Sequence, residues 1–185
     1  MTLRVVGLDV SLTSTGMSDG TAHRVTQPAV DDPLEQRMIR IVDASLSFVL
    51  GHGPVVTADL VVIEAGAFSR AGQSQGAEVL SALRYMVRCN LFGHGVPFAM
   101  VTPTGLKAYT TGRGQATKPQ MVQAMKDRHG IDFTGVKVKD GRYDLADGAA
   151  LAAMGYAHLG QPLPTGGPPA PLASLLAVKW PPVTR

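Results

Sequence analysis

Two apolar runs in this chain end on a carboxylate, and they constrain the fold more than any bulk property does. Leu3-Arg4-Val5-Val6-Gly7-Leu8-Asp9 is one, and Leu60-Val61-Val62-Ile63-Glu64 is the other. Short bounded runs rich in β-branched residues read as buried strands. An ionised carboxylate at the end of such a strand is costly unless something pairs with it. A third segment, Asp144-Leu145-Ala146-Asp147-Gly148-Ala149-Ala150-Leu151, opens a helix of small residues. Its i, i+3 spacing puts both aspartates on one helical face. Convergent carboxylates repel, and such clusters usually persist because a cation sits between them. Oxygen-only ligands suit hard cations such as Mg²⁺ or Mn²⁺, the chemistry of phosphodiester cleavage.

The rest of the chain supplies the scaffold. Ser14–Ser18 and His23–Thr26, separated by Asp19-Gly20, suggest two further strands in a meander. Asp32-Pro33 reads as a helix start, with Asp32 as cap and Pro33 first in the helix. Leu34, Met38, Ile41, Val42, Leu46 and Val49 follow at helical spacing, up to a stop at Gly51-His52-Gly53-Pro54. A helix is expected from Gln75 to about Phe92, a strand over Val96–Val101 and a short helix from Thr102-Pro103 through Tyr109. Thr117-Lys118-Pro119-Gln120 has capping-box spacing and starts a helix to about His129. After a polar loop, Gly135–Arg142, a last helix runs from Asp144 to His158. This order predicts an α/β fold, a mixed sheet covered by helices on both faces. Asp9 and Glu64 then lie on adjacent strands with Asp144 and Asp147 above them.

Residues 160–185 hold seven of the 13 prolines. The expected division is therefore a domain over 1–159 and a Pro/Gly-rich tail over 160–185, with Leu172–Trp180 apolar enough to dock on the domain or a partner. At 185 residues, 45% hydrophobic and 17% charged, the chain is long and apolar enough for one sizeable core. A single cysteine, Cys89, excludes an internal disulfide framework and fits a reducing cytosol. No signal-peptide pattern and no membrane-spanning stretch are visible, so a cytoplasmic protein without membrane partners is expected. Residues 100–142 carry eight basic against three acidic side chains, a local +5 that leaves −2 for the remainder of a chain totalling +3. A basic segment beside an acidic cluster suits a polyanion approaching a cation site. Taken alone, the same excess also describes a solvated surface.

These motifs, in this order, resemble the RuvC family of Holliday junction resolvases, within the ribonuclease H-like superfamily. Gly7-Leu8-Asp9 with Thr15-Gly16 looks like its first strand and turn, and Val62-Ile63-Glu64 like its second acidic motif. Pro103-Thr104-Gly105-Leu106-Lys107, Gly112-Arg113-Gly114 and Ala116-Thr117-Lys118 are similar to its basic segment. Tyr143-Asp144-Leu145-Ala146-Asp147-Gly148 looks like its last acidic motif. The chain departs from the family at Val10-Ser11, where Pro-Gly is usual.

The resemblance implies a ribonuclease H-like fold and a metal-dependent endonuclease acting on four-way DNA junctions. It makes Asp9, Glu64, Asp144 and Asp147 catalytic metal ligands for Mg²⁺ or Mn²⁺, two ions per active site. It makes Lys107, Arg113 and Lys118 phosphate contacts, and it makes Phe68, in a loop with Arg70, a ring that stacks on unpaired bases. It also implies a homodimer matching the junction's two-fold symmetry, with Leu83 and Met86 as candidates for the partner-facing edge. The alternative within nucleases is a broader enzyme acting on flaps and forks. Outside them, a sugar-kinase or actin-like phosphotransferase would share the first motif but needs a second phosphate loop and a second domain. The residue-by-residue alternatives are structural: Asp9 as a turn cap, Asp144 as a helix cap, Asp147 as a first-turn charge, the lysines as surface, and Cys89, His94, His129 and His158 as packing.

Overall fold

The protein is described by a computed structural model over residues 3–52, 56–66, 75–165 and 172–183. Its elements are β1 (Val5–Asp9), β2 (Thr15–Ser18), β3 (His23–Thr26), α1 (Leu34–Leu50), β4 (Leu60–Glu64), α2 (Gln75–Gly93) and β5 (Phe98–Val101). These are followed by α3 (Pro103–Thr111), α4 (Lys118–His129), a 3₁₀ turn at Val138–Asp140, α5 (Arg142–His158) and α6 (Leu172–Leu176). The strands form one mixed sheet in the order β3-β2-β1-β4-β5. β1 pairs antiparallel with β2 and parallel with β4, with Leu8 opposite Ile63. Asp9 and Glu64 therefore end neighbouring parallel strands at the same edge, where open α/β sheets hold their ligands.

Side chains alternate across the sheet. Val6, Leu8, Val61 and Ile63 pack with α1 and α2 residues such as Ile41, Val49, Leu83 and Val87. Val5, Leu60 and Val62 pack with α3, α4 and α5 on the other face. With a period of two, Asp9 and Glu64 fall on the α5 side. That face also accepts the tail: Leu163, Leu175, Val178, Trp180 and Val183 join its core. Trp180 stacks on His158 with ring centroids 4.1 Å apart.

Glycine explains how closely α5 lies on the sheet. A Cβ at Gly7 would sit 2.0 Å from the Gly148 carbonyl oxygen, and one at Gly16 would sit 1.9 Å from that of Asp144. A Cβ at Gly155 would meet Val5 and Val62 within 2.8 Å. The small residues of α5 and the glycines of β1 and β2 thus let backbones touch, which brings the first turn of α5 over Asp9.

Several boundaries differ from those expected. Asp32 does not cap α1. Pro33 holds the cap position with no side-chain cap, and the Asp32 carboxylate pairs with Arg40 at 2.8 Å. Helix α5 starts at Arg142 after Gly141, whose φ of 86° favours glycine, so Asp144 is the third helical residue rather than the cap. Leu83 has no exposure and belongs to the core rather than a partner-facing edge, and Met86 packs partly against the same core. Cys89 is exposed, not core, because the apolar stripe of α2 turns Leu83, Val87 and Leu91 inward.

Candidate active site

Asp9, Glu64, Asp144 and Asp147 line one cleft of about 280 Å³, together with Val10, Ser11, Arg84, Pro103, Lys107, Lys118 and Met121. β1 and β4 deliver the first two acids and the first two turns of α5 the others. Pro103 starts α3, whose cap is Thr102, accepting from the Gly105 amide at 3.1 Å. Lys107 follows one turn later. Lys118 opens α4, fixed by the Thr117–Gln120 capping box that its sequence announces.

Electrostatics set these acids apart. Asp9 is 8% exposed. Burial first, then the charges of Glu64, Asp147 and Asp144, push its pKa well above the ordinary carboxylate range, with Lys118 opposing. Burial and Glu64 push Asp147 up to about 7, against Lys118 and Lys107. Burial raises Glu64, against Arg84, Lys118 and Lys107. The ion pairs among the described residues, Arg4–Asp19, Arg40–Asp32 and Lys126–Asp132, involve none of the four. The acids ring the cleft rather than meet at a point. Among the described residues, no three Asp, Glu, His or Cys side chains group tightly enough to enclose one ion. The donor set fits a hard divalent cation all the same. It is all oxygen, mutually repulsive, partly desolvated and in no ion pair among the described residues, so positive charge placed among these acids relieves the repulsion that helps to raise Asp9 and Asp147.

The basic segment divides. Lys107 and Lys118 reach the cleft, and the Lys118 ammonium also lies 5.6 Å from the Tyr143 ring centroid. Arg113 is exposed in the turn between α3 and α4 and does not line the cleft. Arg128 is spent on structure, donating to the Tyr109 and Thr110 carbonyls at 3.0 and 2.8 Å. Arg142 likewise donates to the Val136 carbonyl. Phe68 and Arg70 lie outside the described residues.

Two residues went unassigned to the site in the sequence: Arg84, which lines the cleft, and Ser14, which bonds one of its acids. Arg84, on α2, places its guanidinium where a Cβ at Gly66 would lie 3.0 Å from it, and its buried Nε has no partner among the described residues. Nothing in the sequence distinguishes it from the other polar residues of α2, and only the packing of α2 beside β4 brings it to Glu64. Ser14 donates to Asp144 Oδ2 at 2.5 Å. No spacing rule links residues that far apart.

No protein-family model matches the chain. It is 33% identical over 161 residues to the crossover junction endodeoxyribonuclease RuvC of Mycobacterium avium, covering 81% of this chain and 79% of that one. It is 33% identical over 139 residues to the enzyme of the same name from Rhodococcus opacus, covering 68% of each. The structure of T. thermophilus RuvC in complex with a Holliday junction substrate superposes with a TM-score of 0.63 at 23% identity, covering 90% of this chain and 99% of that one. At that identity the likeness concerns the fold, a mixed sheet as the order of elements predicts, in the ribonuclease H-like form that the resemblance implies.

Proposed function

The chain belongs to the RuvC family of crossover junction endodeoxyribonucleases, and on that premise we propose that it resolves four-way DNA junctions in recombination and repair by paired phosphodiester cuts. The observation that carries this reading is the cleft, where four unpaired carboxylates face Arg84, Lys107 and Lys118. Binding alone gains nothing from acids beside phosphate, whereas cation-assisted hydrolysis requires them.

Asp9, Glu64, Asp144 and Asp147 would hold two Mg²⁺ or Mn²⁺ ions, which when bound activate water and stabilise the leaving 3′ oxygen. Lys107 and Lys118 hold the phosphate backbone on the α3–α4 side, and Arg84 adds positive charge from the α2 side. Arg113, on the exposed turn, contacts backbone farther along the duplex. Phe68 and Arg70 are proposed at the junction centre. Residues 1–159 are proposed as the nuclease domain and 160–185 as a tail, of which Leu163, Leu175, Val178, Trp180 and Val183 pack on it, in a cytoplasmic protein. No helix of the described residues is long and apolar enough to cross a membrane.

Two opposed cuts need two active sites, so a homodimer is proposed. Its face on α2 is not the buried Leu83 but the outward stripe of Tyr85, Cys89 and Phe92, with Tyr85 59% and Phe92 81% exposed.

The test is a labelled four-way junction, a flap and a linear duplex incubated with the protein, with and without Mg²⁺. Cutting of the junction alone, only with the metal, and abolished in Asp9→Asn and Glu64→Gln, is expected. Equal cutting of flap and junction would reassign the substrate to branched DNA in general, and full activity in both variants would overturn the site. Lys107→Ala and Lys118→Ala should each lower the log–log salt slope of junction binding by roughly one unit per lost phosphate contact. Arg128→Ala should leave the slope unchanged and lower the melting temperature instead.

A further inference from the structure

We propose that Ser14 is a positioning residue for Asp144, held in its donor role by Gln27. The proposal rests on the reading of the cleft as a metal-dependent nuclease site.

Ser14 Oγ donates to Asp144 Oδ2 at 2.5 Å, joining the turn before β2 to the first turn of α5. Gln27 Nε2 lies 3.3 Å from Ser14 Oγ and 2.9 Å from the Lys139 carbonyl oxygen. The direction of every bond follows from donor and acceptor capacity. A carbonyl only accepts, so Gln27 must present its nitrogen, not its oxygen, to Lys139. That nitrogen has a second hydrogen for Ser14 Oγ. An ionised carboxylate only accepts, so the single hydroxyl hydrogen of Ser14 must point to Asp144. One lone pair of Oδ2 is thereby used. The other lone pairs of the carboxylate, including both on Oδ1, stay available to a ligand in the cleft.

The turn that carries Ser14 is built for this. Ser11 Oγ accepts from the Thr13 and Ser14 amides at 3.3 and 3.2 Å. Thr15 Oγ1 donates to the Ser11 carbonyl at 2.9 Å and accepts from the Ser11 amide at 3.2 Å. The first two bonds depend on the Ser11 hydroxyl, and the other two join the Thr15 hydroxyl to the Ser11 backbone. The backbone contact at Gly16 fixes how far Ser14 must reach. Among the described residues, the hydrogen bond that the Asp144 carboxylate receives is that of Ser14, which therefore restrains its rotamer. A ligand carboxylate held in one orientation binds a cation without first paying to order itself.

A merely structural pin between β2 and α5 predicts lower stability and unchanged metal affinity, and the test separates the two. Mn²⁺ is titrated calorimetrically into the full metal-free chain, and junction binding is measured in EDTA. Ser14→Ala should weaken Mn²⁺ binding by about 10-fold and raise the Mn²⁺ concentration for half-maximal cutting by a similar factor, leaving EDTA junction binding unchanged. Ser14→Thr, which keeps the hydroxyl, should stay within about twofold of the parent. Gln27→Ala removes an exposed side chain and should shift Mn²⁺ affinity in the same direction by less. It decides the matter if Ser14→Ala melts early. Mn²⁺ isotherms for Ser14→Ala and Gln27→Ala that superpose on the parent's would overturn the proposal while leaving the site intact. A parent protein that neither binds Mn²⁺ nor cuts would instead overturn the functional reading, and the proposal with it.

Discussion

Burial acts on Asp9 and on His129 in opposite senses, because it disfavours whichever form is charged. Asp9 is pushed toward its neutral acid beside three other carboxylates, a cost that makes sense only where a cation is to be received. His129, at the end of α4, is 4% exposed, and neither ring nitrogen has a partner among the described residues. Burial and the neighbouring Arg128 lower its pKa to about 4. The unfolded chain binds this proton near pH 6.5 and the folded one only near 4. Stability is therefore free of this linkage above pH 6.5 and falls as pH drops through that window, by up to about 3 kcal/mol. His129→Leu should flatten the fall in stability between pH 6.5 and 4 and raise stability at pH 7 by about 1–2 kcal/mol, since an unsatisfied polar ring is removed. Urea midpoints at pH 7 and 4.5 check this, and parallel pH profiles for parent and variant would show that His129 does not titrate in the window.

Among the elements, α5 decides whether a site exists. Its alanines and glycines carry little amphipathic signal, and nearly every residue from Leu145 to Tyr156 is buried. A helix buried nearly all round offers no polar face to orient it. Its placement depends on the glycine contacts to β1 and β2 and on packing with α4. Gly7→Ala forces a methyl into the Gly148 carbonyl and should cost about 3 kcal/mol or more, displacing Asp144 and Asp147 together. Gly76→Ala, near the start of α2 with nothing within 4 Å, should be neutral or stabilising by up to about 1 kcal/mol. Thermal melts of the two variants compare a close backbone approach with open helix surface. Equal melting temperatures would mean that α5 can move away from the sheet without loss.

Over the whole molecule, exposed apolar surface and charge point to different partners. The cleft with Lys107, Lys118 and Arg113 is the face proposed for DNA, while Tyr85 and Phe92 of α2 and Ile39 of α1 are large apolar side chains left in solvent. Tyr85→Asp with Phe92→Asp should therefore convert a dimer to monomers by sedimentation with an unchanged melting temperature, and should uncouple the two cuts on a junction. Leu83→Asp should unfold the protein. A wild-type monomer in the presence of junction, with paired cutting intact, would remove the dimer.

What the sequence determined by itself was local. The apolar runs Val5–Asp9 and Leu60–Glu64 set that each carboxylate ends a buried strand, the i, i+3 pair set that Asp144 and Asp147 share one helix face, and the Thr117–Gln120 box placed Lys118 at a helix start. Such patterns are legible because they depend on the residue's own element. Tertiary structure alone decided what lies opposite. It engaged Arg128 and Arg142, counted only as part of a basic segment, with backbone carbonyls, buried Leu83 while leaving Cys89 outside, and brought Arg84 beside Glu64 and Ser14 onto Asp144. Each depends on which element packs against which and at what distance. That is fixed by glycine contacts and core shape across the whole chain, and no spacing along the sequence contains it.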